Sequence, residues 1–430
     1  MGARPRRPSR TRSLLRVVPL AVLAAVTVAA VVARRAPHAV VTTTEATAPR
    51  PGPSSKGGET GFDAPLRGPA PPPSAEVAAG AARMLHGDPR RTHRAAARGP
   101  RAPSVGWRAR VDGPVAAQVT ASPDEATLYA ATLGGSLVAL SRADGARLWS
   151  VTLGDRAYAT PLVHEDGTIY VGTDAKRLVA ISPKGAIVFR LETEGEADTG
   201  PTFGKDGAIV FAAGKYVYSA RRGGDLAWRF AAKGKVFTAP AVAGDGLVVV
   251  GSQDHHVHGL GPGGAPAWTV DLGADVDGGP AIADDGSIYV GTDAGDVVKL
   301  DASGHIAWRT AVRGFVRGSL SVARNGDVLA GTYGPVPRVV RLSPAGAVLG
   351  AFAVPGTGAR EFGIHGAPLE DADGVLFFGA QDDAVYAVGP DGALRWRFET
   401  GGDIDAPLTL LSDGSLIVPS EDGTVTLLLP

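Results

Sequence analysis

The sequence predicts an all-β fold, an eight-bladed β-propeller built from four-stranded antiparallel blades. Three observations carry that prediction: tryptophans in one phase of a period near 40, an Asp-Gly or Asn-Gly pair at one fixed slot of seven units, and a recurrent proline ahead of six of those pairs. A repeat of that length with four short strands per unit is the signature of radial sheet repetition. The high Gly and Pro content, 59 and 33 residues, suits many short strands and turns better than long helices.

The tryptophans fall at Trp107, Trp149, Trp228, Trp268, Trp308 and Trp396. Phe189 fills one vacant slot, and Gly350, with Phe352 two residues on, marks the other. Asp166-Gly167, Asp206-Gly207, Asp245-Gly246, Asp285-Gly286, Asn325-Gly326, Asp373-Gly374 and Asp413-Gly414 share one phase, and such pairs predict type I′ hairpins. Pro161, Pro201, Pro240, Pro280, Pro368 and Pro407 mark the strand that lacks a neighbour on one side, because proline cannot donate to a ladder. That strand is the innermost one, facing the central channel. The tryptophans then belong to the outermost strands, where blades diverge and large rings fill the space between them. Outer slots number eight, yet the last unit ends at Leu429 without one. The stretch Val105 to Arg110 is therefore predicted to complete the last blade and close the ring, which hides strand edges.

Ahead of the repeats lie two regions of other character. Residues 1–35 hold six arginines between positions 4 and 16, then an apolar run from Val17 to Ala33. A basic stretch before an apolar one reads as an export segment. Cleaved signal and uncleaved anchor are both open, with Arg34 and Arg35 favouring the anchor, a membrane attachment through 17–33. The excess of arginine on the N-terminal side places the remainder outside the cytoplasm, periplasmic or at the cell surface. Residues 36–83 are rich in Pro, Ala and Thr and read as a disordered linker. A short helix from Ala75 to Leu85, capped by Ser74, is predicted within its end. The propeller itself spans 84–430.

Net charge is zero, but residues 1–104 carry 17 basic and 5 acidic groups, against 26 and 38 in the rest. An acidic body argues against nucleic acid as partner. The absence of cysteine excludes disulfides, thiolate metal sites and a lipid-modified N-terminal cysteine.

Three segments, ALSRADGARLW (139–149), LDASGHIAW (300–308) and AVGPDGALRW (387–396), resemble the Ala-x-Asp-x-x-x-Gly-x-x-x-Trp docking pattern of the pyrroloquinoline-quinone-like (PQQ-like) propeller family. That family includes quinoprotein alcohol dehydrogenases and the outer-membrane protein assembly factor BamB, to which this chain is closest in style. MLHGDPRRT, from Met84 to Thr92, is similar to the family's lead-in to the first blade. For the dehydrogenases the resemblance implies a quinone over a tryptophan floor, a calcium held by Glu and Asn, and an Asp base. Here all six tryptophans are assigned to outer strands and the one asparagine, Asn325, to a turn. We therefore expect no catalytic, cofactor or metal residues.

DHHVH, from Asp254 to His258, places two histidines on one strand face, where a metal or a polar turn are the competing readings. EDADG, from Glu370 to Gly374, lacks the third ligand and distal glutamate of a calcium loop and reads as a hairpin. Loops running from one blade to the next alternate in charge: Arg156; Glu194, Glu196 and Asp198; Lys233 and Lys235; Asp275 and Asp277; Arg313 and Arg317; Asp403 and Asp405. Such charges either pair across blades or make a recognition face. The two longest departures from the repeat, around Tyr333 and from Pro355 to His365, lie on that face. We assign an interaction face to Arg313, Arg317, Tyr333, Arg360, Glu361, Phe362 and His365. The expected function is a non-catalytic, monomeric interaction scaffold for envelope protein partners, with envelope protein assembly as one role. A PQQ-dependent dehydrogenase and an extracellular ligand-sensing propeller are the alternatives.

Overall fold

A computed structural model describes residues 62–67, 81–359 and 362–430. The apolar segment 17–33 lies outside them. Among the described residues, no helix is long and apolar enough to cross a membrane. Eight four-stranded antiparallel sheets follow one another along the chain, as the repeat predicts. We number them blades 1 to 8, with blade 1 at residues 120–152 and blade 8 at 409–429. The ring closes where Ser104–Arg110 pairs with Thr424–Leu429, Trp107 lying opposite Leu427.

The second and third strands of each blade are almost wholly buried, whereas the outer strands alternate exposed and half-buried positions. That contrast follows from geometry: inner strands meet neighbours on both faces, and outer strands face solvent between diverging blades. The innermost strands are only two residues long, such as Leu162–Val163 and Ala281–Ile282. In blades 2 to 5 and 7 the recurrent proline stands immediately before that strand, not inside it.

The Asp-Gly slots are hairpins, but not of the predicted type. Gly167 N–H donates to His164 O at 2.9 Å, and Gly167 has φ 83° while Asp166 is not in the left-handed region. This is a type I turn followed by a left-handed glycine, not a type I′ turn. The aspartate's role is side-chain acceptance: Thr168 N–H donates to Asp166 Oδ1 at 2.9 Å, and Ala208, Leu247 and Ser287 repeat the bond to Asp206, Asp245 and Asp285.

The tryptophans lock each blade to the next. Trp149 Nε1 donates to Pro183 O at 3.1 Å, and a Cβ on Gly185 (φ 81°) would meet the indole at 2.9 Å. Trp107, Trp228, Trp268 and Trp308 make the same bond to Arg142, Pro262, Ala302 and Pro344, and Phe189 lies on Gly224. Trp396 donates to Pro100 O. The glycine of the family's docking pattern is thus the seat for the previous blade's ring.

At the Gly350 slot the structure corrects two readings. Residues 62–67, expected to be disordered, fill the place of the missing indole. Ala351 N–H donates to Ala64 O at 2.9 Å, Leu66 is fully buried in the core between blades 6 and 7, and Arg67 bridges to Asp391. A Cβ on Gly350 would lie 2.1 Å from Pro65 O, and one on Gly392 would lie 2.8 Å from Leu66 N. Phe352 joins Phe378 and Tyr386 instead of taking the slot. Of the helix predicted over 75–85, the described residues show one 3-10 turn, Ala81–Arg83.

Candidate functional site: the plugged channel and its charged mouth

The innermost strands would leave backbone N–H groups pointing into an empty axis, at a cost for each unpaired group. The lead-in supplies their partners. Val242, Ile282, Val322 and Glu370, in blades 4 to 7, donate to the carbonyls of Pro89, Arg90, Thr92 and His93 at 2.8–3.1 Å. Arg91 is 1% exposed and its guanidinium donates to Leu85, Gly200, Pro201 and Pro240 carbonyls. His93 Nδ1 lies 2.9 Å from Ala367 O and Nε2 3.1 Å from Leu408 O, of which a neutral ring donates to one, and the ring stacks on His86 at 4.6 Å. Burial pushes His93 down to about 4 and His86 well below its ordinary value, so both are neutral. His86, Arg91 and His93 all hold left-handed backbone, φ 57–64°, a strained conformation for non-glycine residues; the side chains of Arg91 and His93 bond neighbouring carbonyls, whereas the buried ring nitrogens of His86 have no partner among the described residues. The channel is plugged by its own lead-in.

The opposite mouth is formed by the loops between blades and the turns between second and third strands. In each inter-blade loop a residue is buried against a neighbouring strand, for example Ala157, Ala197, Val236, Val276, Val316, Ile364 and Ile404. The residue after it faces the other way. Around the ring these are Tyr158, Asp198, Phe237, Asp277, Arg317, His365 and Asp405. Tyr158 and Phe237 are 40% and 39% exposed, large apolar groups held open at the mouth.

Electrostatics tie these positions together. Arg156 pairs with Asp174 at 3.0 Å, Lys235 with Glu196 at 2.8 Å and Asp198 at 3.3 Å, and Arg317 with Asp293 at 2.6 and 3.0 Å. Of the alternating loop charges, Lys235 thus pairs with those of the preceding loop, whereas Arg156 and Arg317 pair with aspartates of second-to-third-strand turns. Burial together with the facing Asp198 carboxyl holds Asp174 well above the carboxylate range. Burial and nearby Asp405 push Glu421 up to about 7, and burial with Asp293 nearby pushes Asp277 up to about 6. Burial also raises Asp405, which accepts from Gln381 Nε2 at 3.3 Å, and beside it Asp403 rises in turn. Asp174, Asp277, Asp403, Asp405 and Glu421 at the mouth are thus all held above the ordinary carboxylate range.

The predicted interaction residues converge only in part. Phe315, Tyr333 and Gly363 form a small bridge that joins three loops, and Tyr333 Oη lies 2.9 Å from His365 Nδ1. Tyr333 is 6% exposed, so it presents little surface. Arg317 is committed to Asp293 and stacks over Phe315 at 5.3 Å. Arg313 reaches away, 3.6 Å from Asp63 and over the Phe62 ring at 4.9 Å. Phe362 is half-buried, its carbonyl accepting from Gly334 N–H, and Arg360 and Glu361 lie outside the described residues. Sequence reasoning missed Tyr158, Phe237 and Glu421. Reading the residue three positions before each recurrent proline would have found the first two.

No metal or quinone chemistry is assembled from the residues that would carry it. Among the described residues no group of three or more His, Cys, Asp or Glu is arranged to hold a metal ion. His256 and His258 share a strand, with His258 Nε2 3.3 Å from Asp254, and the turn lies at Asp254 and His255. In EDADG, Asp371 Oδ1 accepts from Asp373 and Val375 N–H, as a hairpin requires. All six tryptophans are committed to blade docking and Asn325 Nδ2 donates to Asp327, so a quinone would find neither floor nor asparagine ligand.

The family model described as outer membrane protein assembly factor BamB matches residues 94–197, 176–261 and 253–342, together more than half of the chain. No curated protein matches the sequence. Among solved structures, BamB from Moraxella catarrhalis is similar with a TM-score of 0.64 at 19% identity, over 76% of this chain and 100% of that one. Quinohemoprotein alcohol dehydrogenase from Comamonas testosteroni gives 0.70 at 13% identity, over 81% and 80%. The computationally designed Ika8 protein gives 0.62 at 15% identity, over 76% and 99%. At these identities the structural likenesses speak for the propeller fold alone.

Proposed function

Because the chain belongs to the PQQ-like repeat family described as outer membrane protein assembly factor BamB, we propose that it is a non-catalytic interaction scaffold that captures protein partners of the cell envelope at its charged channel mouth. The observation that carries the reading is the mouth itself: two exposed aromatics, Tyr158 and Phe237, set in a ring of paired and half-titrated charges on a plugged, closed scaffold. Aromatic anchors in a polar surround are what interfaces use for affinity and specificity. In this reading residues 17–33 serve as the export segment and the mouth works outside the cytoplasm, and the family description supports assembly of envelope proteins as its role. Partner capture with Y158A/F237A tests it. Both side chains are exposed, so the melting temperature is expected to stay within a few degrees while capture falls at least tenfold; undiminished capture contradicts the proposal.

The dehydrogenase likeness gives a second reading its test. Mixed with PQQ and Ca²⁺, the purified protein is expected to show neither bound-quinone absorbance nor dye-linked alcohol oxidation. Both signals together would replace the scaffold reading with the enzyme.

A further inference from the structure

One blade is packed differently from its neighbours, and the difference leaves a cavity. In blades 1, 2, 5 and 7 an aromatic on the second strand supports the ring on the outer strand. Tyr129 with Trp149, Tyr170 with Phe189, Tyr289 with Trp308, and Phe377 with Trp396 lie 5.7–6.2 Å apart. The cross-strand register places Val210 in that position in blade 3, opposite Ser219, which lies opposite Trp228. Blade 4 also has a valine there, Val249, but Gly259 beside it lets Trp268 settle inward: a Cβ on Gly259 would lie 2.2 Å from the indole. In blade 3 the serine holds the indole off, and the volume of the missing ring stays open.

The cavity there is ≈ 360 Å³, walled by Val210, Ser219 and Trp228 and by Val248 and Pro262 of blade 4. It lies within the range of small-molecule sites and is half open to solvent at the rim, remote from the mouth. Two polar groups there have nothing to do within the protein. Ser219 lines the cavity, and its hydroxyl makes no hydrogen bond to the protein among the described residues. Lys205, at the cavity entrance, is exposed and takes part in no ion pair or hydrogen bond among them. A hydroxyl that opens into a cavity can both donate to and accept from a ligand there. The other charged group at the entrance, Asp206, is turned onto its own hairpin, where Oδ1 accepts from Ala208 N–H at 3.1 Å.

We propose that this rim cavity binds a monocyclic aromatic carboxylate. The ring takes the place of the missing tyrosine against Trp228, a ring hydroxyl meets Ser219, and the carboxylate pairs with Lys205 at the entrance. 4-Hydroxybenzoate is the probe, and 5-fluorotryptophan labelling with fluorine NMR is the readout, the Trp228 signal being assigned with W228F. The expected result is a saturable shift of the Trp228 resonance with the other five unmoved. V210Y rebuilds the packing of blades 1, 2 and 5 and is expected to abolish the shift, with the other five resonances reporting that the ring is intact. K205Q is expected to weaken 4-hydroxybenzoate about threefold and leave phenol unchanged, as an exposed charge pair would. No Trp228 shift by about 10 mM probe, or an undiminished shift in V210Y, overturns the site. Equal binding of 4-hydroxybenzoate by K205Q overturns the carboxylate assignment.

Discussion

Trp149 shows what one residue does for the ring. Its half-buried indole gains area against Gly185 and a hydrogen bond to Pro183. W149A is expected to destabilise by about 2–3 kcal/mol, below a fully buried tryptophan because part of the ring is wet. G185A is expected to cost at least about 1 kcal/mol through a different cause, left-handed strain plus collision with the ring. Denaturant unfolding separates the two when each is combined with the other, since both act on one contact and their costs will not add. Arg91 is the costlier residue to lose. R91M leaves carbonyls of Leu85, Gly200, Pro201 and Pro240 without their buried donor, and a loss of about 3 kcal/mol or more is expected.

The same scale fixes the response to pH. Glu421, raised to about 7, binds more protons folded than unfolded between its ordinary value and 7, so its contribution to stability falls as pH rises through that window. Neutral His93, lowered to about 4, acts in the opposite sense and its contribution is complete above about 6.5. Stability is therefore expected to decline between pH 6.5 and 8, as the raised carboxyls lose their protons. Thermal melts of E421Q should show a flatter decline than the parent; an equal or steeper one contradicts the assignment.

Among the elements, two segments outside the repeat complete it. The lead-in behaves as a shared edge strand for blades 4 to 7, and residues 62–67 behave as a detached side chain for blade 6. Deleting 57–67 uncovers the seat of Leu66 and is expected to cost about 2 kcal/mol, read as a shift in the denaturation midpoint. The repeating elements were legible because their period is written in Trp, Pro and Asp-Gly, residue types that mark a docking ring, a strand edge and a hairpin wherever they recur in phase. The strap was not. Proline, alanine and glycine around a lone Phe62 and Leu66 carry no periodicity, and their fold is dictated by a slot that exists only once blades 6 and 7 are assembled. The hairpin type was misread for a related reason: Asp-Gly serves both a type I′ turn and a type I turn with a left-handed glycine, and the side-chain bond from Asp166 to Thr168 decides between them.

At the scale of the whole molecule, closure by Ser104–Arg110 turns eight marginal sheets into one cooperative ring. The mouth is a product of that closure, since Tyr158, Asp198, Phe237, Glu421 and Asp405 come from different blades and face one another only in a circle. This is why charge alternation was visible in the sequence while the aromatic positions were not: a charge pattern survives linear reading, whereas exposure at the mouth depends on which way each loop turns. A ring plugged below and charged above presents one functional face.

The most direct measurement is site-specific photocrosslinking in intact cells. A photoreactive residue is placed at position 158 or 237 at the mouth, and at position 148 or 188 on the exposed outer strands. The account predicts discrete protein adducts from 158 and 237 and none of the same species from 148 and 188. Adducts from the outer strands with none from the mouth would contradict it.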